Sequence, residues 1–401
     1  MIPSGARRVA SFLQRAPLVT VLLAVGGLGA GAHAAPLATA SDPRQAIGLY
    51  AVPASACSLV AASGFTIIHS YDFELETSAD ATRYVQRARA YLDNAHHWGL
   101  RVLLGLPREW LHDGRKTLIR DSVRTLRDHP ALLAWYEDER AEEGDLDAVL
   151  LAATVVAAED PVHGFVIEEG KTDNALLAVG RVRMFTYYPV SRDSRRSPRL
   201  KTCSERFPVD GLKVPFWPVL QAFGVDLIRG PARHDLLSPT HPELEATLCS
   251  ALVAGARGVF FYPYLHATTY DAHRGPNGSY GDYRPLPEIA PALWGAVRDC
   301  AGLASRLFDL LAGAQPSQTL RIARAPRGVE VGRWDTANGT LVIVANLATT
   351  ASQLELSCKT PAGKLDWITA PEHGVVRDGD RLTLLVPPTS GMAFVIETAK
   401  H

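Results

Sequence analysis

Several familiar chemistries lack their residues in this sequence. No Gly-x-Ser-x-Gly turn is present, so a serine hydrolase elbow is excluded. No glycine-rich phosphate fingerprint follows the first predicted strand, which counts against a dinucleotide fold. No His-x-x-x-His pair occurs, and the cysteine spacing shows no metal motif. No cofactor is expected. Charge is also scarce in net terms. The chain has 41 basic and 42 acidic residues, a formal net charge of −1, and so no general attraction to nucleic acid. Internal repeats are absent, and low complexity is confined to the N-terminal region.

Long apolar runs are missing as well. The longest candidate, Leu18 to Leu28, is short and interrupted by glycine, a poor membrane span. Arg7, Arg8 and Arg15 precede it and Ala32-His33-Ala34 follows. That is the layout of an export signal over residues 1–34, with cleavage before Ala35. An uncleaved anchor is the alternative. A periplasmic or secreted chain with no stable membrane insertion is expected. In an oxidising compartment the five cysteines, Cys57, Cys203, Cys249, Cys300 and Cys358, cannot all pair within one chain. Cys249 and Cys300, on the last two predicted helices, form the most plausible pair, and buried thiols are the alternative for the others.

What remains is a regular alternation. Apolar strands are predicted at 45–53, 65–71, 100–106, 131–140, 164–167, 182–188, 215–223 and 256–264. Helices with apolar residues at helical spacing lie between several of them, as at Tyr84, Ala88, Tyr91, Leu92 and Ala95. Thr240 with Glu243 reads as a capping box. Eight such strands predict an α/β fold, a (β/α)8 TIM barrel over 45–312. An open doubly wound sheet is the alternative. After Gly313 the period changes to two, with turn residues between short runs such as TLVIVANL and RLTLLV. This predicts a small antiparallel β-sandwich over 317–399.

One segment breaks the alternation. Residues 191–213 carry Arg192, Arg195, Arg196, Arg199, Lys201 and Arg206, with little apolar content. Such a loop suits an acidic polysaccharide, or is simply solvated.

Barrel chemistry sits just beyond the strand C-termini. Here those positions are acidic and aromatic: Asp72, Glu109, Tyr136, Asp138, Glu139, Glu168, Tyr188, Gln221, Tyr262, Tyr264 and His266. The fourth strand, ALLAWYEDER, ends in Glu137, Asp138 and Glu139. Cleavage of a glycosidic bond needs one protonated carboxyl and usually a second carboxylate. Crowded acids keep one proton available, and aromatic rings give flat faces for sugars. Glu139 is the expected general acid, with Asp138 or Glu168 as base. Asp72, Glu109, Tyr136, Tyr188, Gln221, Tyr262, Tyr264 and His266 are expected to bind substrate. A helix-capping role for the acids is the plain alternative. The segment after strand 8, with Tyr270, His273, Tyr280, Asp282 and Tyr283, resembles a wall over a cleft or a disordered insertion.

HPALLAWYEDER resembles the fourth-strand region of clan A β/α-barrel glycoside hydrolases, the β-galactosidase-like group. PTHPELEATLCSALVAGARGVFFYPY resembles the seventh helix and eighth strand of related barrels. The resemblance implies a (β/α)8 barrel with a C-terminal β-sandwich, a poly- or oligosaccharide substrate, and Glu139 as acid/base. It departs at three points. Asp138 replaces the usual Asn, Arg140 the frequent Pro, and Gln221 the nucleophilic glutamate. An amide cannot form a glycosyl ester. An inverting enzyme, a relocated carboxylate, or a glycan-binding barrel without hydrolysis are the readings left open.

Overall fold

The computed structural model describes residues 46–74, 80–112, 114–137, 146–168, 182–207, 209, 212, 214–230, 234–271, 279–358, 363–369 and 374–397. Eight parallel strands close into a barrel in chain order. They are β1 (Ile47–Leu49), β2 (Ile67–His69), β3 (Arg101–Gly105), β4 (Leu132–Glu137), β5 (Phe165–Glu168), β6 (Val182–Tyr187), β7 (Phe216–Gln221) and β8 (Val259–Tyr262). Strand β1 pairs with β2 on one side and β8 on the other, which closes the ring.

The strands are apolar throughout because both faces are buried. Ile67, Leu103, Val166, Met184, Val219 and Phe260 fill the interior. Ile68, Val102, Trp135, Phe185 and Leu220 face the helices instead. Each such large side chain contributes about 1.5–3 kcal/mol by leaving water. Gly48 on β1 is small because a Cβ there would collide with the Phe260 ring.

Helix Ala81–His97 buries Tyr84, Ala88, Tyr91, Leu92 and Ala95, the stripe its spacing predicts. Asp80 caps its start by accepting from Thr82 N–H at 2.8 Å. The Thr240–Glu243 capping box is present at the start of helix His241–Val253.

The C-terminal region is two antiparallel sheets. One contains β11 (Gln315–Pro316), β13 (Val329–Thr336), β14 (Gly339–Asn346), β16 (Leu365–Trp367) and β19 (Ser390–Glu397). The other contains β12 (Leu320–Arg324), β15 (Ser352–Cys358), β17 (Val375–Asp378) and β18 (Arg381–Val386). Two strands here do not alternate, and the packing explains why. On β14, Val342 and Val344 face the second sheet, whereas Leu341, Ile343 and Ala345 join the barrel's core. Strand β19 is divided the same way, with Phe394 inside the sandwich and Val395 toward the barrel. The sandwich is therefore seated on the barrel through its larger sheet.

One expectation is corrected. All five cysteines are buried free thiols, so Cys249 and Cys300 are not bonded. Of the two readings of the segment after β8, a wall over a cleft or a disordered insertion, its described part fits the first. It forms a hairpin of β9 (Leu265–Asp271) and β10 (Ser279–Pro285). Its tip, which includes His273, lies outside the described residues. The basic segment also has structure, with short capped helices at Arg192–Arg196 and Cys203–Arg206. Leu200 N–H bonds to Leu347 O at 2.8 Å and Thr349 N–H to Pro198 O at 2.9 Å, so it is strapped to the sandwich. Among the described residues no helix is long and apolar enough to cross a membrane. Residues 1–34 lie outside them.

Candidate active site

Strand alternation decides which side chains reach the mouth of the barrel. On β4 it turns Tyr136 inward. On β5 it turns Glu168 inward, at the last strand position. Tyr136 and Glu168 meet there. Tyr136 Oη donates to Glu168 Oε2 at 2.7 Å, and Tyr50 Oη donates to Tyr136 Oη at 2.9 Å. All three side chains are buried. A chain of phenols thus holds one carboxylate in place, and each link polarises the next.

A second buried carboxylate lies beyond β2. Glu74 Oε1 meets His69 Nε2 at 2.5 Å, and Glu74 Oε2 lies 3.6 Å from the Arg108 guanidinium. Arg108 N–H also bonds to Glu74 O at 3.1 Å. Gly105 at the end of β3 leaves the room, since a Cβ there would collide with the Glu74 side chain. The His69 ring packs within 5 Å of Tyr50, Tyr71 and Tyr136, with centroids at 4.9, 4.6 and 4.5 Å. Arg108 is anchored at its charged end and still presents an edge to the mouth.

Above these groups is a pocket of about 590 Å3. Asp72, Arg108 and Glu168 give it charge. Tyr71, Tyr188, Tyr262 and Tyr283 give it aromatic walls, with Ser70, Ala51 and Leu265 between them. Tyr188 and Tyr262 lie 6.3 Å apart at a tilt of 31°. Tyr283 comes from β10, so the hairpin forms one wall. Two acids, one guanidinium and four phenol rings in one cleft suit a flat polyhydroxyl ligand.

Among the residues expected from the sequence, Asp72, Glu168, Tyr188 and Tyr262 are brought together here. Asp138 and Glu139 lie outside the described residues. Tyr136 sits under the pocket and supports Glu168. Four other residues are placed elsewhere. Glu109 is exposed on the short helix Arg108–His112, and Arg108 takes the wall position beside it. Gln221 is engaged by backbone. Its Nε2 donates to Val190, Phe223 and Leu237 carbonyls at 3.0, 3.2 and 2.8 Å, and its Oε1 accepts from Val190 N–H at 3.1 Å. Tyr264 is buried against Trp294, 5.8 Å away, because its N–H follows the Tyr50 carbonyl out of the barrel. His266 occupies a smaller cavity of about 80 Å3 behind Tyr262 and Tyr283. Burial pushes the His266 and His234 imidazoles below their ordinary pKa, so both are neutral at pH 7.

The sequence reading passed over Tyr50 and His69. Their signal was parity: each is two residues beyond an inward small or apolar position, Gly48 and Ile67, on β1 and β2. Among the described residues no three His, Cys, Asp or Glu side chains are placed to share a metal ion.

No family model matches the chain, and no curated protein matches it in sequence. Solved structures do match in fold. An α-amylase from Geobacillus thermoleovorans in complex with acarbose aligns over 90% of this chain and 100% of its own, at 11% identity and a TM-score of 0.59. A glycoside hydrolase family 5 protein from Bacteroides vulgatus covers 88% and 90%, at 11% identity and 0.58. A further glycoside hydrolase covers 88% and 93%, at 11% and 0.56. This chain therefore shares its fold with these structures, and that fold is a closed (β/α)8 barrel followed by antiparallel sheets.

Proposed function

We propose that the protein is a glycoside hydrolase acting on a poly- or oligosaccharide. The observation that supports this most is Glu168, a carboxylate held by Tyr136 on the floor of a tyrosine-walled cleft. Glu139, two positions beyond β4 in the chain, is the proposed general acid. Glu168 is the proposed base, with Asp138 as the other candidate for that role. Asp72, Tyr188 and Tyr262 bind the sugar. Without a carboxylate at position 221, an inverting route is proposed, in which the base activates water rather than attacking the sugar. Residues 1–34 are proposed to be an export signal, which would leave the mature chain periplasmic or secreted.

The test is sugar release from a broad polysaccharide panel by wild type, Glu168→Gln and Glu139→Gln. Each substitution keeps shape and removes the ionisable group. Release that falls about 100-fold or more in both variants supports the assignment. Unchanged release in both overturns it. A second reading, a glycan-binding barrel without hydrolysis, is favoured by the structural engagement of Gln221. Binding without release, equal in wild type and variants, would select that reading. N-terminal sequencing of the exported protein checks the signal, with Ala35 expected first.

A further inference from the structure

The basic segment after β6 has no part in the chemistry above, yet the fold gives it a defined place. Tyr188, directly after β6, lines the tyrosine pocket and also a second groove of about 440 Å3. The two cavities are thus neighbours with one ring as common wall. One flank of the groove is Ser191, bridged in antiparallel fashion to Leu236. The other carries Arg199, Lys201 and Arg206.

These cations differ in their commitments. Arg199 forks onto both oxygens of Glu205 at 2.6 Å. Outside the groove, Arg195 is similarly bound to Glu243 at 2.9 Å. Lys201 and Arg206 are exposed, and neither has a carboxylate in ion-pair range among the described residues. The groove's own acids are Asp193, 3.9 Å from Arg196, and Asp235 on the far flank. The backbone beneath Lys201 and Arg206 is fixed. Tyr187 Oη donates to Lys201 O at 2.8 Å, Cys203 N–H to Ser250 Oγ at 2.9 Å, and Thr202 with Glu205 forms a capping box. Two cations with no ion-pair partner among the described residues, on a hydrogen-bonded edge beside a sugar-sized cleft, match an anionic group better than water alone.

We propose that this groove is a subsite for an anionic substituent, a carboxylate or a sulfate ester, on a sugar next to the one in the tyrosine pocket. The substrate class is then an acidic polysaccharide. This rests on the carbohydrate reading above and narrows it.

The test is calorimetric binding of the full mature chain to matched oligosaccharide pairs. One pair is an oligogalacturonide and its methyl ester. The other is a sulfated galactan oligosaccharide and its desulfated form. The acidic member of at least one pair should bind about tenfold more tightly, as expected for charge-assisted hydrogen bonds. The pair that shows it identifies the group. Lys201→Ala/Arg206→Ala should reduce that preference to less than about twofold, and raised salt should weaken it. Lys201→Arg/Arg206→Lys should retain it, which separates lost charge from lost fold. Equal binding within both pairs, or full preference in the alanine variant, overturns the subsite and leaves the carbohydrate reading intact. No binding to any of the four, neutral forms included, overturns the subsite, and the broad-panel release assay then decides the carbohydrate reading by itself.

Discussion

Tyr136 donates its phenolic proton to Glu168 across the floor of the barrel, at 2.7 Å, and is itself the acceptor from Tyr50 at 2.9 Å. The carboxylate proposed as base is therefore oriented from below by Tyr136 on β4 and by Tyr50 directly after β1. Tyr136→Phe keeps the ring and removes the donor. A hydrogen bond to a charged group is worth about 1.5–3 kcal/mol. The expected result is a loss of about 10- to 100-fold in kcat with little change in KM. A rise in KM at constant kcat would make Glu168 a binding group rather than a reacting one.

Gln221 stands where the resembling clan places a nucleophilic glutamate, but its amide nitrogen faces three carbonyl oxygens. Gln221→Glu would turn a carboxylate onto those acceptors. No gain of activity is expected, with a stability loss of about 2–4 kcal/mol at neutral pH. The deficit should shrink toward pH 4, where a carboxyl repelled by carbonyls takes up a proton. Denaturant unfolding at both pH values measures this. A variant that hydrolyses faster than wild type would contradict the structural reading of residue 221.

Glu74 and Arg108 form a coupled pair, since the buried carboxylate anchors the guanidinium that reaches the pocket. Glu74→Gln and Arg108→Ala should each weaken substrate binding by about tenfold. The double variant should be little worse than either single one, because neighbours that act together are not additive. Losses that multiply would mean that Arg108 does not depend on Glu74.

Glu245 gives a pH dependence of stability. It lies on helix His241–Val253, lining a cleft with Arg298, Arg306 and Thr369. Burial pushes its carboxyl up to about 7. In the unfolded chain it titrates near the ordinary glutamate value, about 4.3. Between those values the folded state holds the extra proton, so this group lowers stability as pH rises from about 4.3 to 7 and adds no slope above that. Glu245→Gln removes the effect. The variant should gain on the order of 1–3 kcal/mol on wild type across that interval. A constant difference between the two unfolding curves would show that Glu245 ionises normally.

The barrel was legible because it depends on a repeated local pattern. Eight apolar runs and helical stripes such as Tyr84–Ala88–Tyr91–Leu92–Ala95 record burial directly. The aromatic mouth was legible for the same reason, since position after a strand marks Tyr188 and Tyr262. Function beyond position was harder to read. Gln221 and Tyr264 also follow strands, but their partners are backbone groups and Trp294 from distant segments, which no local pattern reports. His69 ends a strand of three residues and Tyr50 directly follows another, and in strands so short inward parity is hard to tell from burial. The fate of the cysteines depended on three-dimensional spacing, which sequence separation does not fix.

The hairpin β9–β10 leaves the barrel after β8 and returns before helix Pro291–Leu311, with Leu265 and Pro285 paired at its base. It delivers Tyr283 to the cleft, while Glu168, Tyr188 and Asp72 come from elements continuous with the barrel strands. The cleft is in this sense assembled from a barrel socket and a hairpin blade. A change in hairpin sequence or length would reshape what the cleft accepts without touching the phenol chain that holds the carboxylate.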